Sequence, residues 1–113
     1  MNAKQARNSV AAAQTADEPR DIDAKVTAAQ IGRMNLLAIS GGRAMAFENA
    51  LVLPVAAGYH VVISLSVFDT YTVRRVFTRN GRAFVKAEWT DIYCEEIGEV
   101  AYRASCYLDE VPA

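Results

Sequence analysis

Residues 70–89 read TYTVRRVFTRNGRAFVKAEW, and this stretch decides the fold of the chain. Two runs rich in β-branched and aromatic residues flank Asn80-Gly81, which is the strongest short-range signal for a β-hairpin. A type I′ turn at these two residues aligns the flanking strands and thereby sets their register. The register predicted in this way pairs Arg79 with Arg82, Phe77 with Phe84, Arg75 with Lys86, Val73 with Glu88, Val76 with Val85 and Thr72 with Trp89.

A helix is predicted before the hairpin. Asp21 or Asp23 can begin it, because either carboxylate can accept hydrogen bonds from the amides of the first turn. Apolar residues then recur at helical spacing for roughly four turns. They are Val26, Ala29, Ile31, Met34, Leu37 and Ala38. The helix is expected to end at Ser40-Gly41-Gly42, where glycine can supply a left-handed C-cap.

Two strands are predicted between this helix and the hairpin. Glu48-Asn49 forms a turn, and residues 50–55 form a short strand that Pro54 restricts to a sheet edge, since proline has no amide hydrogen to donate. Residues 60–68 alternate in the manner of a strand with one buried face. Asp69-Thr70 then turns the chain into the hairpin.

A second helix is predicted after Trp89. Thr90 or Asp91 can cap it. Its apolar stripe consists of Cys94, Ile97, Val100, Ala101, Ala104 and Leu108. Short connections favour an antiparallel meander, and amphipathic helices can cover one face of such a sheet. The predicted fold is therefore α+β: a helix, a four-stranded antiparallel meander and a helix, packed as a two-layer sandwich.

The length of 113 residues fits a single domain, which we place at residues 21–113. Residues 1–20 contain Val10 as their only branched apolar residue, so they are predicted to be a disordered tail. A formal net charge of -1 argues against a general binder of polyanions. Two cysteines are too few for a disulfide framework, and no apolar stretch is long enough to span a membrane. We therefore expect a soluble protein of a reducing compartment.

Four features occur together between Gln30 and Tyr107. They are the helix ending at Gly41-Gly42-Arg43, the segment LSVFDTYTV at residues 65–73, the basic hairpin, and Ile92-Tyr93 before the last helix. In this combination the chain resembles a group of small, functionally uncharacterised proteins encoded by bacteriophages, prophages and actinobacterial mobile elements. Cys94-Glu95-Glu96 departs from the Ala-Asp-Gln type of run expected after the tyrosine. The resemblance implies a phage origin and the host cytoplasm as location, and it implies no activity.

One face of the predicted hairpin combines cations with aromatic rings. It carries Tyr71, Arg75, Phe77, Arg79, Arg82, Phe84 and Lys86. A face of this kind can stack bases and neutralise phosphates, so a nucleic acid is one possible partner. The alternative is that the rings point into the core, with Arg75 and Lys86 extending past its margin. Like charges directly opposite each other, as at Arg79 and Arg82, are destabilising unless an acidic group offsets them.

Glu95, Glu96 and Glu99 form an acidic patch at the start of the predicted last helix. The patch could dock on a basic partner, or pair with the basic hairpin of a second copy in a homo-oligomer. A solvated helix face without a partner is the alternative.

Residues for catalysis or metal binding do not cluster in the sequence. His60 lacks a Cys or Asp at ligand spacing, and no general base is indicated near Ser64 and Ser66. Cys94 falls in the apolar stripe, which favours an inert thiol. We therefore expect no enzyme activity, no cofactor and no metal. The leading hypothesis is a non-enzymatic interaction module that binds a protein, either a host factor or a second copy. The alternative is a nucleic-acid-binding protein that uses the basic hairpin face.

Overall fold

A computed structural model of the chain describes residues 21–106, and these residues form one α+β unit. The α-helices in this range are α1 (Ala24–Ile31), α2 (Arg33–Ser40) and α3 (Ile97–Cys106), and a single 3₁₀ turn lies at Ala56–Gly58. The strands are β1 (Met45–Phe47), β2 (Ala50–Pro54), β3 (Tyr59–Leu65), β4 (Tyr71–Arg79) and β5 (Arg82–Ile92). Each strand pairs antiparallel with the next one along the chain, so the order across the sheet is β1-β2-β3-β4-β5. The predicted α+β meander is confirmed, with five strands in the described range instead of four. The predicted disordered tail at residues 1–20 lies outside the described residues.

The helix predicted before the hairpin is two short helices. Asp23 caps α1 as expected, because its Oδ1 accepts from the amides of Lys25 at 3.1 Å and Val26 at 3.2 Å. Gly32 then breaks the helix with φ 92° and ψ 145°, a conformation that other residues rarely adopt. Gly41 ends α2 in the left-handed region, as the sequence predicted.

The strand β1 was missed in the sequence because its three residues are too few to show a period. It pairs with β2 across the Glu48-Asn49 turn, so β2 is not the edge strand that Pro54 led us to expect. Proline still restricts the pairing at position 54 itself, because it has no amide hydrogen to donate. The β1 pairing ends at Val52, so Pro54 lies beyond it and is paired only with His60 of β3.

The strand β3 ends at Leu65, three residues before the predicted end. A hydrogen-bonded turn follows, in which the Ser66 amide donates to the Thr70 carbonyl at 2.8 Å and the Ser66 and Thr70 hydroxyls lie 3.0 Å apart. Asp69 takes the left-handed conformation in this turn, with φ 60°. The turn presents Phe68 to solvent with 81% of its surface exposed. The predicted strand at residues 60–68 included Phe68. In the structure Phe68 belongs to the turn and not to the sheet.

The hairpin turn is confirmed at Asn80 and Gly81, whose φ angles are 53° and 75°. The predicted register holds from Arg79↔Arg82 to Val76↔Val85. A β-bulge then makes Lys86 an extra residue on β5. The observed pairs beyond it are Arg75↔Ala87, Arg74↔Glu88 and Val73↔Trp89. The predicted pairs Arg75 with Lys86, Val73 with Glu88 and Thr72 with Trp89 are therefore wrong.

The bulge removes a like-charge contact and creates an ion pair. Lys86 no longer lies opposite Arg75, and Glu88 moves opposite Arg74, whose Nε donates to Glu88 Oε2 at 2.7 Å. The shift also turns Trp89 to the helix side of the sheet, where it packs against the main core. A lysine and a bulge on the outer strand further interrupt the edge of the described sheet.

The last helix begins later than predicted. β5 continues to Ile92, and Asp91 has φ 57° within it, so neither Thr90 nor Asp91 is a helix cap. Cys94 lies in the turn before α3 and is exposed, which contradicts its place in a buried stripe. The rest of the described stripe is buried, as predicted: Ile97, Val100, Ala101 and Ala104. Leu108 lies outside the described residues.

The main core lies between the three helices and one face of the sheet. It contains Ile31 and Ile39 from the first helices, Ile97, Val100, Ala101 and Ala104 from α3, and Leu51, Leu53, Val61, Ile63, Tyr71 and Val73 from the strands. A second cluster of strand residues is buried on the opposite face: Ala50, Val52, Val62 and Val76. Burial on both faces explains why the period of the hairpin sequence alone could not decide which face is internal.

Candidate functional site

Tyr71, at the start of β4, is held inside the fold. Its side chain is 6% exposed, and its hydroxyl donates to Gln30 Oε1 at 2.5 Å and lies 3.2 Å from Thr27 Oγ1. Because Thr27 and Gln30 both belong to α1, this ring fastens the first helix to the sheet. The hydroxyl and ring of Tyr71 therefore face the helix layer and not solvent.

Arg75 is also internal and binds the last described turn of α3. Its Nη1 donates to the carbonyl oxygens of Ala104 and Ser105, both at 2.9 Å, and the side chain is 8% exposed. A cation near the C-terminal carbonyls of a helix is favoured by the helix dipole. The guanidinium also lies 4.0 Å above the ring of Tyr59. Arg75 thus joins β3, β4 and the C-terminal end of α3.

An aromatic row crosses three strands just beyond Arg75. Tyr59 pairs with Phe77, and Phe77 pairs with Phe84, so the three rings share one face of the sheet. The Tyr59 and Phe77 centroids are 4.9 Å apart. Tyr59 and Phe77 are half-buried, whereas Phe84 is 46% exposed. The row therefore runs from the interior to the open side of the hairpin.

Three cations surround the exposed end of this row. Arg79, Arg82 and Lys86 are all exposed, and Lys86 Nζ lies 5.9 Å from the centre of the Phe84 ring. Arg79, Asn80, Arg82 and Phe84 line an open concavity at the tip of the hairpin. We call Arg79, Arg82, Phe84 and Lys86 the basic aromatic surface.

The turn forces two arginines of this surface into direct opposition. Arg79 and Arg82 are paired across the two-residue turn, and neither makes an ion pair with a residue of the described range. Like charges in such cross-strand positions repel each other. An anionic group placed between the two guanidinium groups would offset that repulsion.

The acidic residues lie at the opposite end of β5. Glu95 and Glu96 are exposed in the turn that follows Ile92, and Glu99 is exposed in the first turn of α3. Glu99 accepts from Arg103 Nη2 at 3.0 Å, the i,i+4 pair that the sequence indicates. The structure therefore separates the predicted binding residues into an internal group, a basic aromatic surface and an acidic turn.

The Arg74–Glu88 pair is a polar feature that the sequence analysis missed. Arg74 is 7% exposed on the face opposite the helices, and its Nη1 also reaches Ser64 Oγ at 3.4 Å. Two consecutive arginines are thus buried on opposite faces of one strand, each by a different set of partners. The only sequence signal was Glu88 on the neighbouring strand, and the bulge hid it by shifting the register.

The pKa values of His60 and Cys94, which the sequence analysis considered for catalysis, are both shifted. His60 is 1% exposed, and burial lowers its pKa to about 4, so the imidazole is neutral near pH 7. The Cys94 thiol donates to Glu95 Oε2 at 3.0 Å, and this bond raises the thiol pKa while it lowers the pKa of Glu95. A thiol held in its protonated form is a poor nucleophile.

Within residues 21–106, no three His, Cys, Asp or Glu side chains are grouped so that they could hold a metal ion. The helices of the same range include none with the length and apolarity that a membrane span requires.

In comparisons with known proteins, no family model, curated protein or solved structure matches the chain. The resemblance to proteins of bacteriophages and mobile elements, and the host cytoplasm that it implies, therefore stay predictions.

Proposed function

We propose that this protein is a non-enzymatic interaction module that binds an acidic surface of a partner protein through the basic aromatic surface. The observation that carries the proposal is the exposed Phe84 ring among Arg79, Arg82 and Lys86 at a turn that forces two arginines together. Aromatic side chains and arginine are the residue types enriched at the centres of protein interfaces.

The rest of the hairpin supports this surface as a rigid frame. Arg75 and Tyr71 fasten β4 to α3 and α1, and the Phe77 ring contacts the tilted Tyr59 ring behind Phe84. A binding surface held in place before association loses less conformational entropy when the partner binds. Glu95 and Glu96 of a second copy would present the charge that the surface requires, so self-association is one form of this function.

The proposal is tested with a labelled peptide of eight glutamates as the acidic probe, followed by fluorescence anisotropy at low salt. We expect binding that weakens as NaCl is raised, and an affinity at least about tenfold lower in the double variant Arg79→Glu with Arg82→Glu. Lys25→Glu with Arg33→Glu is the matched control, because it makes the same charge change at exposed positions of the helices. Absence of binding by the natural chain, or an equal loss in both double variants, contradicts the proposal.

Binding of single-stranded nucleic acid is a second candidate, and the exposure of Phe84 favours it. A base can stack on an exposed ring while neighbouring cations neutralise the phosphates. The two probes differ in how much they need this ring, because a base can stack on it whereas a glutamate side chain cannot. Removal of a stacking ring costs about 1–3 kcal/mol per base, which is about fivefold or more in affinity.

Phe84→Ala therefore separates the candidates. If nucleic acid is the partner, the variant loses at least about fivefold in affinity for an oligonucleotide of twenty thymidines. If an acidic protein is the partner, the natural chain binds the glutamate peptide at an ionic strength at which it no longer binds the oligonucleotide. Tight, ring-dependent oligonucleotide binding together with no peptide binding would replace the first candidate by the second.

A further inference from the structure

We propose that the turn at residues 66–70, called here the Phe68 turn, docks in the concavity at the hairpin tip of a second copy, so that copies of this chain join head to tail. The inference rests on the proposed function, because it uses the same basic aromatic surface. It names the partner of that surface, which is the Phe68 ring and the adjoining carboxylates of another copy.

The Phe68 turn presents two apolar side chains to solvent. Phe68 is 81% exposed and Val67 is 60% exposed. The turn holds them outward, because the Ser66 amide donates to the Thr70 carbonyl at 2.8 Å and the Phe68 amide donates to Ser66 Oγ at 3.2 Å. A ring that is held out by a hydrogen-bonded turn loses little conformational entropy when it is covered. Phe68 is thus a preformed contact for an aromatic or cationic surface.

Carboxylates surround the Phe68 turn at this end of the sheet. Asp69 follows the ring in the turn itself. Asp91 of β5 lines, together with Phe68, a cavity of about 260 Å³ beside the turn, and the acidic turn described above lies a few residues further along the chain. Neither the Phe68 turn nor residues 90–98 contain Lys, Arg or His. This end of the sheet is therefore an apolar projection with a negative rim.

The concavity at the hairpin tip has the complementary shape and charge. It is an open space of about 380 Å³ lined by Arg79, Asn80, Arg82 and Phe84. Residues 79–86 contain three cations and no acid. An aromatic ring that enters this space can contact the Phe84 ring and lie against a guanidinium, and both contacts are favourable. A carboxylate next to that ring can offset the repulsion between the two opposed arginines. Phe68 and Asp69 supply these two groups in succession.

The two surfaces lie at opposite ends of β4. The Phe68 turn ends directly before Tyr71, and the hairpin turn follows Arg79. The nine residues of β4 separate them by about 30 Å, at about 3.3 Å per residue. One molecule cannot bring these ends together, because the strand between them is extended and paired on both sides, so the contact forms between copies. Each copy contributes a different surface, which leaves one surface uncovered at either end and allows further copies to add.

Sedimentation equilibrium of the full chain at low salt tests the association. A contact confined to a turn and a hairpin tip is smaller than a standard interface of about 1,600 Å², so the association is weak and the protein concentration is raised to about 1 mM. We expect an average mass that exceeds that of a dimer as the concentration rises, and that falls again when NaCl is added. A natural chain that stays monomeric, or that stops at a dimer, overturns the inference.

Phe68→Ala measures the part of the ring in this association. We expect the variant to associate at least about fivefold more weakly, which is typical for removal of a ring from the centre of an interface. Met34→Ala is the matched control, because Met34 is 78% exposed on α2, away from both surfaces, and it should associate as the natural chain does. Equal effects of the two variants contradict docking through Phe68.

A mixture of two blocked variants tests the head-to-tail geometry. Phe68→Lys blocks the turn, because a cation then faces the cations of the hairpin, and Arg79→Gln with Arg82→Gln blocks the hairpin. Each variant alone is expected to be monomeric. Their mixture should form a one-to-one dimer and nothing larger, because one intact turn and one intact hairpin remain. In the ¹⁵N-labelled hairpin variant the amide signals of residues 66–70 should move on mixing. A mixture that stays monomeric, or shifts confined to other residues, overturns the inference.

The eight-glutamate peptide separates this inference from the proposed function. If the natural chain binds the peptide but stays monomeric, the function stands and the inference fails. If the chain associates through the Phe68 turn but does not bind the peptide, the surface recognises the ring of a second copy and not an acidic surface in general. The inference then stands, and the proposed function fails.

Discussion

Arg75→Met should destabilise the fold, although sequence analysis placed Arg75 on the same face as the exposed arginines. The substitution removes two hydrogen bonds of 2.9 Å to the end of α3 and a cation–π contact of 4.0 Å, while it keeps most of the aliphatic packing. Hydrogen bonds to a charged group contribute about 1.5–3 kcal/mol each, and a partly buried cation–π contact about 1 kcal/mol. Release of the guanidinium from a buried position returns part of this sum. The expected net loss in unfolding free energy is about 2–4 kcal/mol.

Equilibrium unfolding in urea measures this loss. With a slope of about 1–1.5 kcal/mol per molar urea for a domain of this size, the midpoint should fall by roughly 2 M. Arg79→Met is the control, because Arg79 is exposed four residues further along the same face, and its midpoint should change little. An Arg75→Met midpoint within about 0.3 M of the natural chain would refute the assignment of Arg75 as the residue that joins α3 to the sheet.

Three further predictions concern the fold. Gly98→Ala should lower the unfolding free energy by about 1–3 kcal/mol in urea, although alanine has the better helix propensity, because its Cβ would lie 2.6 Å from the Ile31 carbonyl oxygen. Equal or greater stability would contradict the close packing of α3 on α1. Asn80→Ala should lower the unfolding free energy by about 1 kcal/mol, because alanine is disfavoured at the φ of 53° found here, while Asn80→Gly should lower it less. The reverse order would argue against the type I′ turn. Lowering the pH from 7 to 5 should reduce the unfolding free energy of the natural chain by about 2 kcal/mol more than that of His60→Gln. The reason is that His60 takes up a proton below its usual pKa of 6.5 in the unfolded chain but only below about 4 in the folded one. Parallel pH profiles would show that His60 is not buried in the neutral form.

Local signals in the sequence were enough for the hairpin turn, a helix cap at Asp21 or Asp23, the Gly41 cap and most of the buried stripe of α3. Each of these depends on one or two residues whose backbone preference is strong, or on a period that extends over several turns. Arg79 and Arg82 are exposed beside this turn, whereas the sequence analysis left open which face of the hairpin is exposed.

The remaining errors come from features that a period does not encode. One extra residue at Lys86 reversed the faces of the residues from Ala87 to Trp89, which misplaced Trp89 and hid the Arg74–Glu88 pair. The burial of Arg75 and the exposure of Arg79 also could not be predicted, because they depend on where α3 lies against the sheet. Two arginines four residues apart on one strand face are equivalent in sequence but have different neighbours in space.

The most direct test of the basic aromatic surface is a titration of the ¹⁵N-labelled chain with the eight-glutamate peptide at low salt, followed by amide chemical shifts. The account predicts that the largest shifts fall on Arg79, Arg82, Phe84 and Lys86, and that 0.5 M NaCl reverses them. Shifts that are absent, or that fall instead on α1 and α2 around Lys25 and Arg33, would contradict it.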